Sequence, residues 1–342
     1  MIRVPTSNLF LNRELGLVEF NRRVLAQAEN RETPLLERLK FLSIVGSNLD
    51  EFFEVRVAGL KEQIKSESLI RTPDGMEPGE VFKLVSEQTH KLVEKKYQLL
   101  NQEILPGLAG EGINFLRRAS WNDAQREWIK AFFFRELMPV LTPIGLDPSH
   151  PFPRVLNKSL NFAVQLDGKD AFGRVSGAAI VQAPRVLPRV ILLPREVSAS
   201  EYDFIFLSSI LHAHVGELFS GMNVLGCYQF RVTRNSDLFV DEEEVKNLRM
   251  ALQVELPQRH FGNAVRLEAS DNCPPQMASF LLDQFGLARE DFYQVEGPVN
   301  LVRMMEVPDR IERPDLKYPP FISGLPATPQ KKKSGRYFSD DT

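Results

Sequence analysis

The chain has 342 residues, of which 43% are hydrophobic and 25% are charged, and its formal net charge at pH 7 is -3. This composition is typical of a globular protein large enough for two domains, each with a core of its own. The balance of 42 Lys and Arg against 45 Asp and Glu argues against a nucleic-acid-binding protein.

Helical periodicity dominates residues 1–108, which we predict to be an all-helical bundle domain. The first pattern runs from residue 12 to residue 30 and carries Phe20, Val24 and Ala28 at helical spacing. The last pattern starts at Pro78, after the turn at residues 72–75, and should stop near Pro106.

Residues 34–64, between these two patterns, are predicted to form two helices that meet at a corner. The first helix starts with Pro34 at its first position, and Gly46 can end it in a left-handed conformation. Asn48, followed three residues later by Glu51, resembles a capping box that starts the second helix. The second helix carries apolar residues at helical spacing, namely Leu49, Phe53, Val57, Leu60 and Ile64.

The predicted corner suggests a role for Asn48. A helix N-terminus presents backbone N–H groups without intrahelical partners and carries a partial positive charge. It can therefore receive an anion or the polar edge of a ligand. The alternative is that Asn48 only caps its own helix, and the pattern alone does not name a ligand.

Residues 109–318 change to the pattern of an α+β domain with a mixed sheet. Strands are expected at residues 113–116, 160–166, 178–182, 190–193, 228–233, 264–268 and 293–295, and helices at 122–137, 204–218, 241–256 and 275–285. Residues 141–153 contain four prolines and should form a stiff, extended segment. Residues 319–342 are rich in Pro, Gly, Ser and Lys and are predicted to be a linker.

Cysteine usage and the apolar runs bear on the compartment. Cys227 and Cys273 are too few for a disulfide framework and lack the spacing of metal ligands, so we expect ordinary thiols in a reducing cytoplasm. The N-terminus has only a brief apolar segment, and no apolar run reaches the roughly 18 residues of a membrane span. We expect a cytoplasmic protein and leave peripheral membrane association open.

Conventional catalytic motifs are missing from the sequence. It has neither a Walker-type loop nor the HRD and DFG triplets of protein kinases. His212 and His214 would point about 200° apart on a helix, so they should not share a metal ion. His150 lies in the proline-rich segment, where we expect its imidazole to hold the loop by a hydrogen bond.

Basic residues could provide a local polyanion site. Arg231, Arg234, Arg259 and Arg266 could form a basic face, but their spacing does not show that they converge, and solvated or ion-paired arginines are the simpler interpretation. Lys331, Lys332 and Lys333 form a basic run that we interpret as part of the solvated linker. Weak contact of this run with a polyanionic chain is the alternative.

Several segments resemble one known family. They are PLLERLKFLSIVGSNLDEFFEVRVAGL from Pro34, LTPIGLDPSHPFP from Leu141, SLNFAV from Ser159, FRVTRNSDL from Phe230 and FGNAVRLE from Phe261. These segments closely resemble the N domain and head domain of the bacterial long-chain polyphosphate kinases, and the likeness covers about residues 10–328. The resemblance implies reversible transfer of the terminal phosphate of ATP to inorganic polyphosphate, through a phosphohistidine and with magnesium.

The resemblance also assigns roles within this chain. The family asparagine that precedes Leu-Asp-Glu-Phe contacts the nucleotide, which implies that Asn48 contacts ATP or ADP. This role is now favoured over capping alone. Asp50 and Arg56 either brace that site or form a pair on the helix surface. The phosphate-accepting histidine, the other catalytic residues and the magnesium ligands are expected outside this chain, so no catalytic or metal residue is assigned here.

Two further expectations follow from the resemblance. Without those groups, the chain alone should not turn over. The family head domain mediates dimerisation, which implies a homo-oligomer and leaves a non-catalytic assembly module as the alternative function. A helical nucleic-acid binder is the weakest alternative, because the charge is balanced and basic residues are not interleaved with aromatic ones.

Overall fold

The N-terminal part of the chain folds into α-helices. The computed structural model describes residues 10–67, 71–147, 149–169, 177–236 and 262–321. The helices here are α1 (Arg13–Glu29), α2 (Leu35–Glu51), α3 (Ala58–Lys65), α4 (Pro78–Leu99) and α5 (Leu105–Gly110). A π-helical segment, Phe52–Val57, joins α2 to α3 without a break, and a second one, Leu100–Ile104, joins α4 to α5.

Helix α1 has the predicted limits, but its buried face agrees only in part with the predicted stripe, in which Ala28 is buried and Phe20 is not. The Asn12 side chain accepts a hydrogen bond from the Leu15 N–H at 3.0 Å, as expected of an N-cap. The buried stripe consists of Val18, Asn21, Leu25 and Ala28, because this face packs on α2 and α4. Phe20 is instead 47% exposed, with the Arg23 guanidinium over its ring.

Helix α4 starts at Pro78, as predicted, behind a capping box of Glu77 and Glu80. The predicted stop near Pro106 is wrong, since the helical backbone continues to Gly110. Pro106 is tolerated because it lies in the first turn of α5. None of the helices in the described ranges combines the length and the apolarity needed to cross a bilayer.

The α+β part contains two sheets. Their strands are β1 (Ile113–Phe115), β2 (Thr142–Gly145), β3 (Asn161–Gly168), β4 (Ala178–Gln182), β5 (Val190–Leu192), β6 (Tyr202–Phe206), β7 (Met222–Arg234), β8 (Ala264–Ser270) and β9 (Phe292–Val295). The smaller sheet has the order β1-β6-β5 and the larger has the order β2-β4-β3-β7-β8-β9. Both sheets mix parallel and antiparallel pairs, which confirms the predicted fold class.

Shorter helices flank the strands. They are α6 (Asp123–Phe132), which continues as a π-helical segment (Phe133–Leu137), then α7 (Leu207–His214) and α8 (Pro275–Phe285). Short 3-10 helices also occur, among them Leu301–Glu306 and Pro308–Arg310. The predicted helix at residues 241–256 lies outside the described residues.

Strands β2 and β6 were not predicted as strands. Residues 204–218 were predicted to be helical, but Tyr202–Phe206 is the central strand of the smaller sheet, and helix α7 begins only at Leu207. The strand is buried on both faces, so its apolar run has no period of two that would distinguish it from a helix. Residues 142–145 of the proline-rich segment also pair as an edge strand, β2.

The larger sheet separates two apolar layers. On one face, Ala163, Phe230 and Leu267 pack against α8. The opposite face belongs to a hydrophobic cluster that also contains the side chains of α1, α2 and α4 and of the smaller sheet. The expectation of a separate core for each part is therefore wrong. The domain limits at residues 108 and 318 remain a prediction.

Candidate functional site

The predicted corner at Asn48 does not exist. Helix α2 runs from Leu35 to Glu51 and passes through Gly46 without a break, so Asn48 lies inside a helix and caps nothing. Gly46 is buried, and a Cβ built on it would lie 3.3 Å from Val302 Cγ2. The glycine is therefore explained by the close approach of the 3-10 helix Leu301–Glu306, not by a helix end.

The side chain of Asn48 is half-buried and has no hydrogen-bond partner among the described residues. Its backbone carbonyl is used by the helix, since it accepts from the Phe52 N–H. The amide group therefore keeps both a free donor and a free acceptor, the combination that can pair with the edge of a base. The binding capacity lies in this side chain rather than in a helix N-terminus.

Asp50, two residues later, is held by two arginines from the larger sheet. Its carboxylate accepts from Arg231 Nη1 and Nη2 at 2.9 and 2.8 Å and from Arg266 Nη2 at 2.6 Å. All three side chains are buried. Burial alone would raise the pKa of Asp50, but the two guanidiniums outweigh it and lower the pKa to about 2.

Glu268 completes an alternating ring of charges. It lies opposite Arg231 in the antiparallel register of β7 and β8. Its Oε2 is 2.5 Å from Arg231 Nε and 3.0 Å from Arg266 Nη2. The contact with Arg231 is an ion pair without the alignment of a hydrogen bond. We call Asp50, Arg231, Arg266 and Glu268 the buried ionic cluster.

Lys96 of α4 adds a fifth charge next to this cluster. Only 2% of its surface is exposed, and it makes no ion pair or hydrogen bond among the described residues. Its Nζ lies 5.0 Å from the centre of the Tyr97 ring. Burial, opposed by Glu268 and Asp50, lowers the pKa of Lys96 to about 8. Apart from Lys96, the two guanidiniums balance the two carboxylates.

The cluster connects the helices to the sheet. Asp50 and Lys96 come from α2 and α4, whereas the two arginines and Glu268 come from β7 and β8. The Arg266 guanidinium also lies 4.4 Å from the centre of the Phe53 ring, in the π-helical segment. Because residues two apart on a helix point about 200° apart, Asp50 facing the sheet directs Asn48 away from it.

A second contact fixes the same segment. Glu54 accepts from Asn157 Nδ2 at 2.5 Å and from Lys158 Nζ at 2.7 Å. Both partners precede β3, so the π-helical segment is attached to the sheet at two points. Three residues of these contacts were not predicted from the sequence as site residues, namely Glu54, Lys96 and Glu268.

For Arg231 and Arg266 the simpler interpretation, ion-paired arginines, is confirmed, and the two converge on Asp50. Arg231 and Arg266 are ion-paired, as expected, but they are buried instead of solvated. Arg234 does not join them, since it donates to the carbonyls of Val155 and Gly262 at 3.0 and 2.9 Å. Arg259 and Lys331, Lys332 and Lys333 lie outside the described residues.

The surface pair of Asp50 with Arg56 is wrong, because Asp50 faces the sheet and forms its ion pairs there. Arg56 is half-buried and makes no ion pair among the described residues. Asp50 thus braces the segment that carries Asn48, which was the other interpretation.

The histidines make separate contacts. His212 packs with its ring edge on Phe162, and burial, with help from Arg118, lowers its pKa to about 4. His214 contacts Phe133 instead. His150 is exposed, and its Nδ1 lies 3.1 Å from the Ser149 hydroxyl, which confirms a hydrogen bond within its loop.

Magnesium, which the family resemblance implies, is held in proteins by carboxylate and other oxygen ligands. None of the His, Cys, Asp and Glu side chains of the described residues form a group of three or more that could hold a metal ion. The two carboxylates of the buried ionic cluster, Asp50 and Glu268, are already neutralised by arginines. The described residues therefore do not fit a magnesium site.

Cys227 and Cys273 are buried free thiols whose pKa values burial raises to about 12 and about 11.

Family models match both parts of the chain. Residues 10–116 match the polyphosphate kinase N-terminal domain, and residues 124–307 match the polyphosphate kinase middle domain. The second match alone covers more than half of the chain.

Individual relatives that are similar to this chain are also named polyphosphate kinase. A protein from Neisseria meningitidis serogroup C named polyphosphate kinase is 60% identical over 321 residues, which are 94% of this chain and 47% of that protein. One of the same name from Burkholderia vietnamiensis is 57% identical over 316 residues, 92% of this chain and 46% of that protein. The chain thus spans about half the length of the curated relatives it matches. The crystal structure of polyphosphate kinase from Porphyromonas gingivalis matches with a TM-score of 0.73 and 25% identity, over 92% of this chain and 43% of that one.

Proposed function

Because the chain belongs to the polyphosphate kinase family, we propose that it serves reversible transfer of the terminal phosphate of ATP to inorganic polyphosphate. In this reaction the terminal phosphate moves to a histidine, with ADP released, and then from the phosphohistidine to the polyphosphate end. The residues that carry out these steps belong to the part of the relatives that this chain does not span. We assign no catalytic residue here and derive no step through magnesium.

The role that we propose for this chain is to contact the nucleotide through Asn48. One observation carries the proposal: the Asn48 amide has a free donor and acceptor on a helix whose rotation the Asp50 ion pairs fix. A side-chain amide can pair with the base of ATP or ADP through two hydrogen bonds. Phosphoryl transfer depends on holding the nucleotide in line with its acceptor. A contact between Asn48 and the base would help to hold the nucleotide in that position.

Calorimetric titration of the chain with ATP tests the nucleotide contact. Losing two hydrogen bonds to neutral groups costs about 1–3 kcal/mol, so Asn48→Ala should weaken ATP binding by about fivefold to a hundredfold. The matched control is Gln98→Ala, which truncates an exposed amide on α4. If Asn48→Ala folds normally and binds ATP as tightly as the wild type, Asn48 is not a nucleotide contact.

Turnover provides a second test. The purified chain should not make polyphosphate from ATP and magnesium, since the proposed catalytic groups lie elsewhere. Polyphosphate formation by this chain alone would contradict the proposed division of roles.

A second candidate function, assembly of two copies through the α+β part, rests on a different observation. Strand β2 is an edge of the larger sheet, and exposed apolar side chains precede it or lie on it. These are Phe134, Met138, Val140 and Ile144, each between 37% and 43% exposed. Edge strands and apolar patches of this kind are typical of interfaces between subunits.

Light scattering over a range of concentrations tests the assembly function. We expect a dimer that Met138→Glu dissociates, because the substitution places a charge in the apolar patch. Leu225→Glu, at an apolar residue that is 61% exposed on β7, is the matched control. A wild-type chain that stays monomeric at high concentration would exclude this function for the chain alone.

A further inference from the structure

Arg189 and Arg303 line one small cavity at the junction of the smaller sheet with the 3-10 helix Leu301–Glu306, and Arg185 lies four residues before Arg189 in the chain. Arg185 and Arg189 belong to the segment between β4 and β5, and Arg303 belongs to the 3-10 helix. Arg303 follows Val302, the residue that packs on Gly46 of α2. The group therefore lies beside the helix that carries Asn48, but it shares no residue with the buried ionic cluster.

These guanidiniums have one weak counter-charge between them among the described residues. Arg185 and Arg189 make no ion pair among the described residues, and they donate only to the backbone carbonyls of Asn157 and Ala183, at 2.6 and 3.1 Å. Arg303 has one weak partner, Glu306 at 3.8 Å, which Arg310 also approaches at 3.5 Å. Arg303 and Arg310 thus share one carboxylate, and Arg185 and Arg189 have none among the described residues.

The arginines also repel one another. The pKa of Arg189 is lowered to about 10. Burial is the largest cause, followed by the positive charges of Arg303 and Arg185. Nη1 of Arg189 is buried without a hydrogen-bond partner. Bringing like charges together without a carboxylate costs free energy. An anionic ligand would remove that cost, in contrast to the buried ionic cluster, which is already balanced.

The space at the arginines places an anionic ligand on the surface and not inside a pocket. The cavity that Arg189 and Arg303 line together has a volume of about 20 Å³, which is enough for a water molecule and too small for a phosphate group. A phosphate would therefore contact the guanidiniums from the solvent side. Arg185 and Arg303 are attached to different elements, so one chain of phosphates can contact the arginines in succession better than a single phosphate can.

We propose that Arg185, Arg189 and Arg303 form a binding site for a linear phosphoanhydride chain, the polyphosphate substrate or product of the proposed reaction. The ligand class rests on the proposed function, whereas the site rests on the arrangement of the arginines. Planar guanidiniums pair with phosphate oxygens through two parallel hydrogen bonds, which suits a chain of repeated phosphates.

The test is titration of the chain with long-chain inorganic polyphosphate at several salt concentrations. In polyanion binding, each neutralised phosphate contributes about 0.7–0.9 to the slope of log K against log salt. The triple variant Arg185→Gln, Arg189→Gln, Arg303→Gln should therefore lower the slope by about 2 and weaken binding at least about tenfold at low salt. Arg303→Gln alone, at a side chain that is 42% exposed, should show about a third of the slope change and avoids any risk to folding.

Arg289→Gln is the matched control, because it removes the same charge at an exposed arginine between α8 and β9. It should bind polyphosphate within about twofold of the wild type. Orthophosphate should bind wild type and triple variant equally weakly. Folded variants that bind polyphosphate as the wild type does, or a folded wild type that does not bind it, would overturn the proposed site. ATP titration of the same samples tests Asn48 separately, since the arginine variants should leave ATP binding unchanged.

Discussion

Replacing Asp50 by asparagine is the strongest test of the buried ionic cluster. The substitution keeps the size of the side chain and removes one of the two negative charges. Arg231 and Arg266 would then share Glu268 alone, inside a part of the protein from which water is excluded. Removing one partner of a buried ion pair typically costs about 3–5 kcal/mol, because a charge is left without compensation. We expect Asp50→Asn to lower the free energy of unfolding by this amount.

Urea unfolding followed by circular dichroism and by fluorescence measures this change. The matched control is Asp315→Asn, which breaks an ion pair of similar length: Asp315 Oδ2 lies 2.7 Å from Arg313 Nη2. That carboxylate is exposed to solvent, so its loss should leave the unfolding midpoint close to that of the wild type. The two variants differ mainly in burial.

A double variant separates the ion pair from other effects of the substitution. Arg231→Met removes one unpaired cation from the Asp50→Asn background. The double variant should therefore lose less stability than the sum of the single variants, by about 1–3 kcal/mol. Strictly additive losses, or an Asp50→Asn variant as stable as Asp315→Asn, would refute our account of the cluster.

Three more predictions concern the same helices. Because the pKa of Asp50 is lowered to about 2 in the folded protein, its stabilisation is present above pH 4 and lost as the pH falls toward 2. The free energy of unfolding measured in urea should therefore drop by about 2 kcal/mol in the wild type and by less in Asp50→Asn. Lys96 has a lowered folded pKa of about 8, so Lys96→Met should stabilise the protein near pH 7 by up to about 3 kcal/mol, an advantage that should disappear by about pH 10 in the same assay. Gly46→Leu should cost about 1–3 kcal/mol through its clash with Val302, whereas Gly59→Leu, with open space around it, should not lower the thermal midpoint.

The periodic parts of the chain could be predicted from its sequence. The limits of α8 and β4 were predicted without error, since turn residues and a clear apolar period define them. The start of α4 at Pro78 follows from local capping chemistry. Local signals were sufficient wherever an element has one buried face and conventional caps.

Gly46 shows where local signals fail. A glycine followed by an asparagine and a glutamate has the local chemistry of a helix end and a new start. The helix continues because Val302, from the other end of the described chain, requires a residue without a side chain at this position. A tertiary contact of this kind leaves no trace within a window of a few residues.

The buried ionic cluster was hidden for the same reason. Arg231 and Arg266 lie 181 and 216 positions from Asp50 in sequence. One signal was available: in β7 and β8 polar residues alternate with apolar ones, which places Arg231, Arg266 and Glu268 on the sheet face opposite Phe230 and Leu267. Which helix covers that face, and with which carboxylate, depends on the fold.

The ion pairs of Asp50 fix the rotation of α2, and with it the direction of the Asn48 side chain, more strictly than apolar packing would. Apolar contacts along α2 tolerate small rotations of the helix, because their energy depends little on direction. The carboxylate of Asp50 instead accepts three directed hydrogen bonds from guanidiniums whose positions follow from strand register. The rotation that satisfies those bonds turns Asn48 away from the sheet, so the cluster and the proposed nucleotide contact are two consequences of one helix orientation.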